Sequence, residues 1–196
     1  MQPVRTTFLG SGDAFSAGGN YQAAYLVQGG GATFLLDCGS AALTSMKRQG
    51  IDPNIIDWIA LSHLHGDHFA GLPYLFLEYT YERPRRRPLR IAGPPGTAER
   101  VWALYRAAYR ELAEQPLPFN LEFTEMRPGV PTMLDGVRID PFRVPHQEKD
   151  ISLGHRVRVD GRTILYSGDT GWTEDLITQS HDTDLFICEC CFFETR

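Results

Sequence analysis

Six consecutive residues, His63-Leu64-His65-Gly66-Asp67-His68, carry three imidazoles and a carboxylate, half of the six histidines in the chain. Neutral imidazole nitrogens and carboxylate oxygens are the ligand set that suits zinc and neighbouring first-row metals. The four side chains sit at offsets 0, 2, 4 and 5, which neither one helix face nor one strand face gathers on a single side. A strand that ends and turns sharply brings them together, and Gly66 is read as the residue that gives the turn its freedom. A histidine-rich polar loop is the plainer alternative, and the density of ligand-type residues outweighs it.

Two later loops offer matching donors. His146 follows Val144-Pro145, and Asp169 lies in Ser167-Gly168-Asp169-Thr170-Gly171 after an apolar run. Alone, His146 reads as an ordinary polar residue and Asp169 as a turn residue. Their order after the histidine cluster turns both into candidate ligands.

These residues need strands that end beside one another. The apolar run 55–62 delivers the cluster. Upstream, residues 6–9, 25–28 and 33–36 alternate with glycine-bearing turns, the pattern of an antiparallel meander. Helices are expected over residues 40–49, closed by Gly50, and over 71–77, just behind the cluster. Residues 83–90 hold five arginines in eight positions, with prolines that forbid a regular helix. Residues 89–92 read as a strand and 93–96 as a turn. The clearest helix is 97–115, where Val101, Leu104, Tyr105, Ala108 and Leu112 form one apolar stripe and Pro116 stops it. Residues 121–124, 137–140, 142–144, 154–159 and 163–166 read as strands, with a further apolar strand near 184–190. Two strand-rich runs with helices predict an α/β sandwich with mixed sheets inside. No linker interrupts them, so residues 1–196 read as one domain.

Composition narrows the function classes. With 42% hydrophobic and 22% charged residues over 196 positions, the chain is of the soluble globular type and long enough to bury a core. A net charge of -5 argues against a general nucleic-acid-binding surface. No apolar run approaches the roughly 18–20 residues of a membrane span, and no signal-peptide core opens the chain, so a cytoplasmic location is expected. Cys38, Cys188, Cys190 and Cys191 read as reduced core thiols. The excess of arginine over lysine, 17 to 2, is attributed to genomic composition.

His63-x-His65-x-Asp67-His68, then His146, then Asp169 in Ser-Gly-Asp-Thr, resembles the metallo-β-lactamase-fold hydrolases. Leu9-Gly-Ser-Gly12, Leu36-Asp37-Cys-Gly39 and His65-Gly-Asp-His-Phe-Ala-Gly-Leu-Pro73 extend the likeness from Thr6 to about Glu194. The last of these is similar to the branch containing tRNA 3′-processing endonucleases and related phosphodiesterases. The resemblance implies an αββα sandwich, two mixed sheets flanked by helices, with two divalent ions at the rim where the sheets meet. His63, His65 and His146 would hold the first ion, Asp67 and His68 would begin the second site, and Asp169 would bridge both. Zinc is the expected metal, with manganese or iron as alternatives. Three neutral imidazoles leave an open position for water, and paired ions stabilise the oxygen charge of a hydrolytic transition state. Asp67 is the candidate catalytic residue that orients that water or accepts its proton. Asp37 is expected to hold a histidine ring by its other nitrogen. Asp13 either does similar work or caps its own turn. His155 reads as structural or rim-facing, and His181 as a surface loop residue.

Two departures from the family pattern stand out. The pattern continues beyond a strand like 184–190 with a helix and strand whose loop gives a last histidine to the second metal, and this sequence stops at Arg196. The last αβ unit is therefore expected to be missing, with apolar residues 185–193 beside an open sheet edge. A longer chain, a partner chain completing the site, or a second site weak or empty would each account for this; a longer chain is favoured. The tRNA-processing enzymes also carry a long arm between the third histidine and the bridging Asp. Only residues 147–168 lie there, room for a hairpin, which disfavours a large nucleic acid as ligand. Arg85, Arg86 and Arg87 are candidates for a phosphate-steering patch, since guanidinium forks match phosphate oxygens; a solvated loop is the plainer reading.

The expected function is metal-dependent hydrolysis of a phosphodiester, a small or cyclic-nucleotide-type substrate. Hydrolysis of a thioester, lactone, sulfate ester or β-lactam by the same chemistry is the alternative, and a non-catalytic carrier on this fold is a second one. A nucleic-acid-binding module is set aside by the acidic charge and the lack of an aromatic stacking pattern. No membrane partner is expected, and a homo-oligomer is compatible with the sequence.

Overall fold

Side-chain alternation along the strands decides what each face of the fold touches. In β2 (Ala24–Gly29), Ala24 and Leu26 turn to one core while Tyr25 and Val27 turn to another. The same split occurs in β3 (Ala32–Leu36), between Leu35 and the pair Phe34 and Leu36, and in β4 (Trp58–Ala60), between Ile59 and the pair Trp58 and Ala60. A sheet apolar on both faces must be covered on both. The computed structural model, which describes residues 3–190, shows what covers it.

The first sheet has the order β1-β2-β3-β4-β5-β6, adding β1 (Arg5–Gly10), β5 (Leu89–Gly93) and β6 (Leu121–Glu125). The pairs among β1, β2 and β3 are antiparallel, and those from β3 to β6 are parallel. Parallel neighbours need crossovers, supplied by α1 (Ala42–Arg48), by α2 (Gly66–Phe69) with α3 (Leu72–Leu77), and by α4 (Thr97–Ala108) with α5 (Arg110–Ala113). Met46, Leu72, Leu75, Phe76, Val101 and Tyr105 from these helices pack on the outer face of this sheet.

The second sheet has the order β11-β10-β9-β8-β7, built from β7 (Thr132–Leu134), β8 (Val137–Arg143), β9 (Leu153–Val159), β10 (Arg162–Tyr166) and β11 (Leu185–Ile187). Val137, Ile139, Val157, Ile164 and Tyr166 meet the inner face of the first sheet, and Leu176 from α6 (Glu174–Ser180) packs with Leu165 outside. The layers are helix, sheet, sheet, helix. β8 and β10 run in the same sense, and a backbone bond from Leu153 N to Ser62 O joins the two sheets near the end of β4. Among the described residues, no helix is long and apolar enough to cross a membrane.

Several local expectations change. The helix expected over 97–115 is broken at Tyr109 (φ -144, ψ 69), although Leu104 and Leu112 still pack on the same core. The strands expected over 137–140 and 142–144 are one strand through Pro141. β7 begins at Thr132, opposite Ile139, so its ladder stops short of Pro141 and no ladder bond is required of the proline nitrogen on that side. Among the described residues, Cys38 is the one expected core thiol that is buried. Cys188 and Cys190 are exposed because β11 ends at Ile187, and Cys191 lies outside the described residues. Residues 185–190 of the expected apolar edge are described: β11 pairs there with β10, and Phe186 is exposed.

Candidate metal centre

Four loops leave β3, β4, β8 and β10 and meet at one rim of the sandwich. The loop after β4 carries His63 and His65 just before α2, whose first turn holds Asp67 and His68. A loop followed by one helical turn is how offsets 0, 2, 4 and 5 converge. Gly66 is not the freedom-giving residue expected: its φ is not positive, and a Cβ there would meet nothing within 4 Å. The close approach falls at Gly71, where a Cβ would lie 2.4 Å from Gly39 O. There the loop after β3 binds the helix backbone, through Cys38 N to His68 O at 2.7 Å and Gly71 N to Cys38 O at 2.9 Å. Gly168, with φ 59, fits the loop after β10 against Ser62, whose Cβ would be 2.8 Å from an added methyl group.

The donor atoms fall into two groups. His63 Nε2 lies 3.1 Å and His146 Nε2 3.0 Å from His65 Nδ1. His68 Nε2 lies 3.0 Å from Asp169 Oδ1 and 3.2 Å from Asp67 Oδ2. Asp169 turns its other oxygen to the first group, 3.9 Å from His63 Nε2 and 3.8 Å from His146 Nε2. Ligand atoms of His63, His65 and His146, and separately of His63, His68 and Asp169, all lie within 4.8 Å of one another. Three imidazole nitrogens aimed at one point repel unless a proton or cation lies among them, so the donor set fits a metal ion.

Asp37 ties the groups together from behind. It is fully buried with φ 58, and its carboxylate accepts from Ser62 N at 2.7 Å, Ser62 Oγ at 2.6 Å and Tyr166 OH at 2.5 Å. His68 Nδ1 lies 2.7 Å from the same carboxylate. Since the Ser62 proton is given to Asp37, Ser62 Oγ accepts from His63 Nδ1 at 3.0 Å, which leaves His63 Nε2 with a free lone pair. Burial opposes charge on Asp37, yet His68, His63 and Ser62 hold its carboxyl below the usual range. Burial and the neighbouring His68 push His63 down to about 3, so its ring is neutral. Burial also opposes charge on His68, but the carboxylates of Asp37, Asp169 and Asp67 outweigh it and lift the ring to about 12. A cation among those carboxylates is strongly favoured.

The other sequence candidates are placed as follows. Asp13 accepts from Phe15 N and Ala17 N and so caps its own turn. His155 is buried on β9, 6.4 Å from the Tyr166 ring, and His181 is exposed after α6. The arginines expected to steer phosphate lie before β5 and beside the start of β4, at the opposite end of those strands from the histidines. Arg85 is buried over the Tyr79 ring and donates to the carbonyls of Arg87, Asn54 and Pro88. Arg87 binds the Asp57 carboxylate and the Asn54 and Ile56 carbonyls, while Arg86 is exposed beside them. Their donors close the ends of the strands. Ser62, Tyr166, Gln147 (beside His65 Nε2) and Glu189 (accepting from Thr170 N) went unread in the sequence. Only the adjacency of Ser62 and Gln147 to candidate histidine ligands signalled them.

Between His146 and Asp169 lie a loop and the β9–β10 hairpin, with no inserted arm. Residues 4–196 match the family described as Anti-Pycsar protein Apyc1. The chain belongs to that family. Like this Apyc1-family chain, the human short-form tRNase Z, ELAC1, has the metallo-β-lactamase fold: TM-score 0.75, 27% identity, covering 92% of this chain and 76% of that one. The metallo-β-lactamase fold protein YhfI of Bacillus subtilis aligns with TM-score 0.75 at 23% identity, over 96% and 71%. Ribonuclease Z of Mycolicibacterium gilvum is 32% identical over 178 residues, 85% of this chain and 62% of the relative. The Apyc1-family chain thus spans about three-fifths of the length of the curated relatives it matches. The αββα architecture and the kinship with ribonuclease Z agree with the sequence reading.

Proposed function

We propose that this chain is a metal-dependent phosphodiesterase that hydrolyses a small, singly charged diester of cyclic-nucleotide type. The observation that carries the reading is the donor set itself, which opens on a cavity of about 560 Å³ lined by His65, Asp67, His146 and Asp169. That volume falls in the range of roughly 300–1,000 Å³ typical of small-molecule sites. The lining includes the carboxylates of Asp13, Asp67, Asp169 and Glu189 and, among the described residues, neither lysine nor arginine. Two divalent ions would bring four positive charges against those four carboxylates, which leaves no surplus positive charge to attract a polyanion. The kinship with proteins named ribonuclease Z and tRNase Z supports cleavage of a P–O bond.

In this reading His63, His65 and His146 would hold one ion and Asp67 and His68 the other, with Asp169, whose two oxygens face the two groups of donors, available to both. Bound there, two divalent ions, zinc by donor preference and manganese or iron as alternatives, would supply Lewis acidity and make water easier to deprotonate near neutral pH. Asp67 orients the attacking water and takes its proton; burial opposes its ionisation, but His68 keeps its carboxyl below the usual range. Asp37 fixes His68 through Nδ1 so that Nε2 faces Asp67 and Asp169. The partner is a small molecule, in a cytoplasmic setting.

A second reading has its own support. A cavity of about 620 Å³ beside His146 is lined by Trp172, Leu176, Ile177 and Phe186, which suits the acyl chain of a thioester or lactone. Elemental analysis together with turnover of 3′,5′-cyclic nucleotides, nitrophenyl phosphodiesters, thioesters and lactones separates the two. The expected result is bound divalent metal and phosphodiester turnover that falls at least a hundredfold in Asp67→Asn with metal retained. Turnover confined to carbon esters would refute the proposal.

A further inference from the structure

The loop between β1 and β2 holds an aromatic ring in solvent at the mouth of the cavity. Phe15 is 90% exposed, the most exposed large apolar side chain among the described residues. A single exposed apolar side chain is ordinary on a protein surface; the setting of this one is not. Its loop is braced on both sides. Asp13 Oδ1 accepts from Phe15 N at 3.1 Å and Ala17 N at 3.0 Å, Gly12 N donates to Tyr21 O at 2.7 Å, and Gln22 Nε2 donates to Ser16 Oγ at 2.7 Å. Gln22 is itself held by Ser40 Oγ at 2.7 Å. A tied loop keeps the ring from folding back over its own apolar neighbours, and Phe15 lines the same cavity as His65, Asp67, His146 and Asp169.

We infer that Phe15 is the stacking platform for the heterocyclic base of a nucleotide substrate whose phosphodiester sits at the metal donors. The inference rests on the phosphodiesterase reading and adds a second contact to it. With four carboxylates and neither lysine nor arginine lining the cavity among the described residues, the part of the substrate remote from the phosphate gains no lysine or arginine ion pair there, and an exposed ring is the largest apolar contact on offer. Phe15 offers an open ring face for that contact. Every base presents a π-face, so a platform of this kind binds purines and pyrimidines alike and sets affinity rather than base choice.

The test compares the metal-loaded parent with Phe15→Ala and Phe15→Trp. The substrates are 3′,5′-cyclic AMP, 3′,5′-cyclic UMP and the baseless diester methyl ribofuranoside 3′,5′-cyclic phosphate. Loss of one stacked base predicts a KM about tenfold higher for both cyclic nucleotides in Phe15→Ala, with kcat within about twofold. The baseless diester keeps its KM, and Phe15→Trp behaves like the parent. An unchanged cyclic-nucleotide KM in Phe15→Ala, or an equal rise for the baseless diester, overturns the inference and leaves the phosphodiesterase reading standing. If the parent hydrolyses no diester, that reading fails on its own. Calorimetric binding of AMP against ribose 5-phosphate then decides the stacking: about tenfold weaker AMP binding in Phe15→Ala upholds it, and equal binding, or none by the parent, overturns it.

Discussion

Asp37 is the residue on which both histidine groups lean. It touches His68 directly and reaches His63 through the Ser62 hydroxyl, so one buried carboxylate orients a ring in each group. Outer partners of this kind fix the ring and raise the basicity of the ligand nitrogen, and losing one typically costs ten- to a hundredfold in metal affinity. Asp37→Asn is therefore expected to weaken metal binding by that factor in competition with a chromophoric chelator, and parent-like affinity would remove Asp37 from this role. The sequence made the donors legible because they crowd into six residues and then recur at loops that follow strands. Asp37 was legible too, as an acid at a strand end beside the motif. Tyr166 was not: its hydroxyl reaches Asp37 from β10 in the other sheet, and nothing local in Thr-Ile-Leu-Tyr says which way that ring points.

The strands and helices were readable where periodicity is strong and misread where a tertiary contact overrides it. β2, β3 and the first half of the 97–115 helix follow their apolar patterns, while the break at Tyr109 and the passage of β8 through Pro141 depend on neighbours absent from the local sequence. Glycines show the same limit. Gly66 looked special beside the histidines but occupies a helical turn with open space around it, whereas Gly71 is pinned against the Cys38–Gly39 backbone. Gly66→Ala should then leave stability unchanged or raise it by about 0.4–1 kcal/mol. Gly71→Ala should lower it by roughly 1–3 kcal/mol through overpacking and disturb metal binding, because α2 and the Asp37 loop are spliced there. Urea denaturation of both variants measures this, and equal effects would discard the account. The arginine run follows its solvated-loop reading at Arg83, Arg86 and Arg87, which are exposed, and departs from it at Arg85, which is consumed by three carbonyls and a tyrosine ring. Arg85→Ala should cost roughly 3 kcal/mol of stability with phosphodiester kinetics of the folded fraction intact; a selective rise in KM would return the arginine to the substrate.

At the scale of the molecule, the fold and the metal centre are separable. The two apolar cores, between the sheets and under the helices, hold the strands and helices together through apolar side chains, and the donor groups lie on the loops at the rim, so chelation should leave far-UV circular dichroism intact while lowering the melting temperature. Metal at a hundred times its Kd adds about 2.7 kcal/mol, which is roughly 5–10 °C for a chain of this size. The metal-free protein should then have a stability that peaks near the ordinary histidine pKa of 6.5, with a limb on each side. Burial lowers the pKa of His155, outweighing Asp37 and the Leu61 backbone, and burial with His68 lowers His63 to about 3. For a lowered pKa the unfolded chain binds more protons, so that stability is complete above 6.5 and is lost as pH falls below it. His68 has the opposite sign: with its folded value raised to about 12, its contribution is complete below 6.5 and is lost as pH rises. Melting temperatures of the chelated protein between pH 5 and 9 should therefore fall toward both ends. His155→Phe should make the acid limb shallower and leave the alkaline limb unchanged, whereas His68→Asn should flatten the alkaline limb and, because His68 helps hold His63 down, soften the acid limb as well. A His155→Phe variant whose acid limb matches the parent's would show that this buried ring does not limit stability in acid.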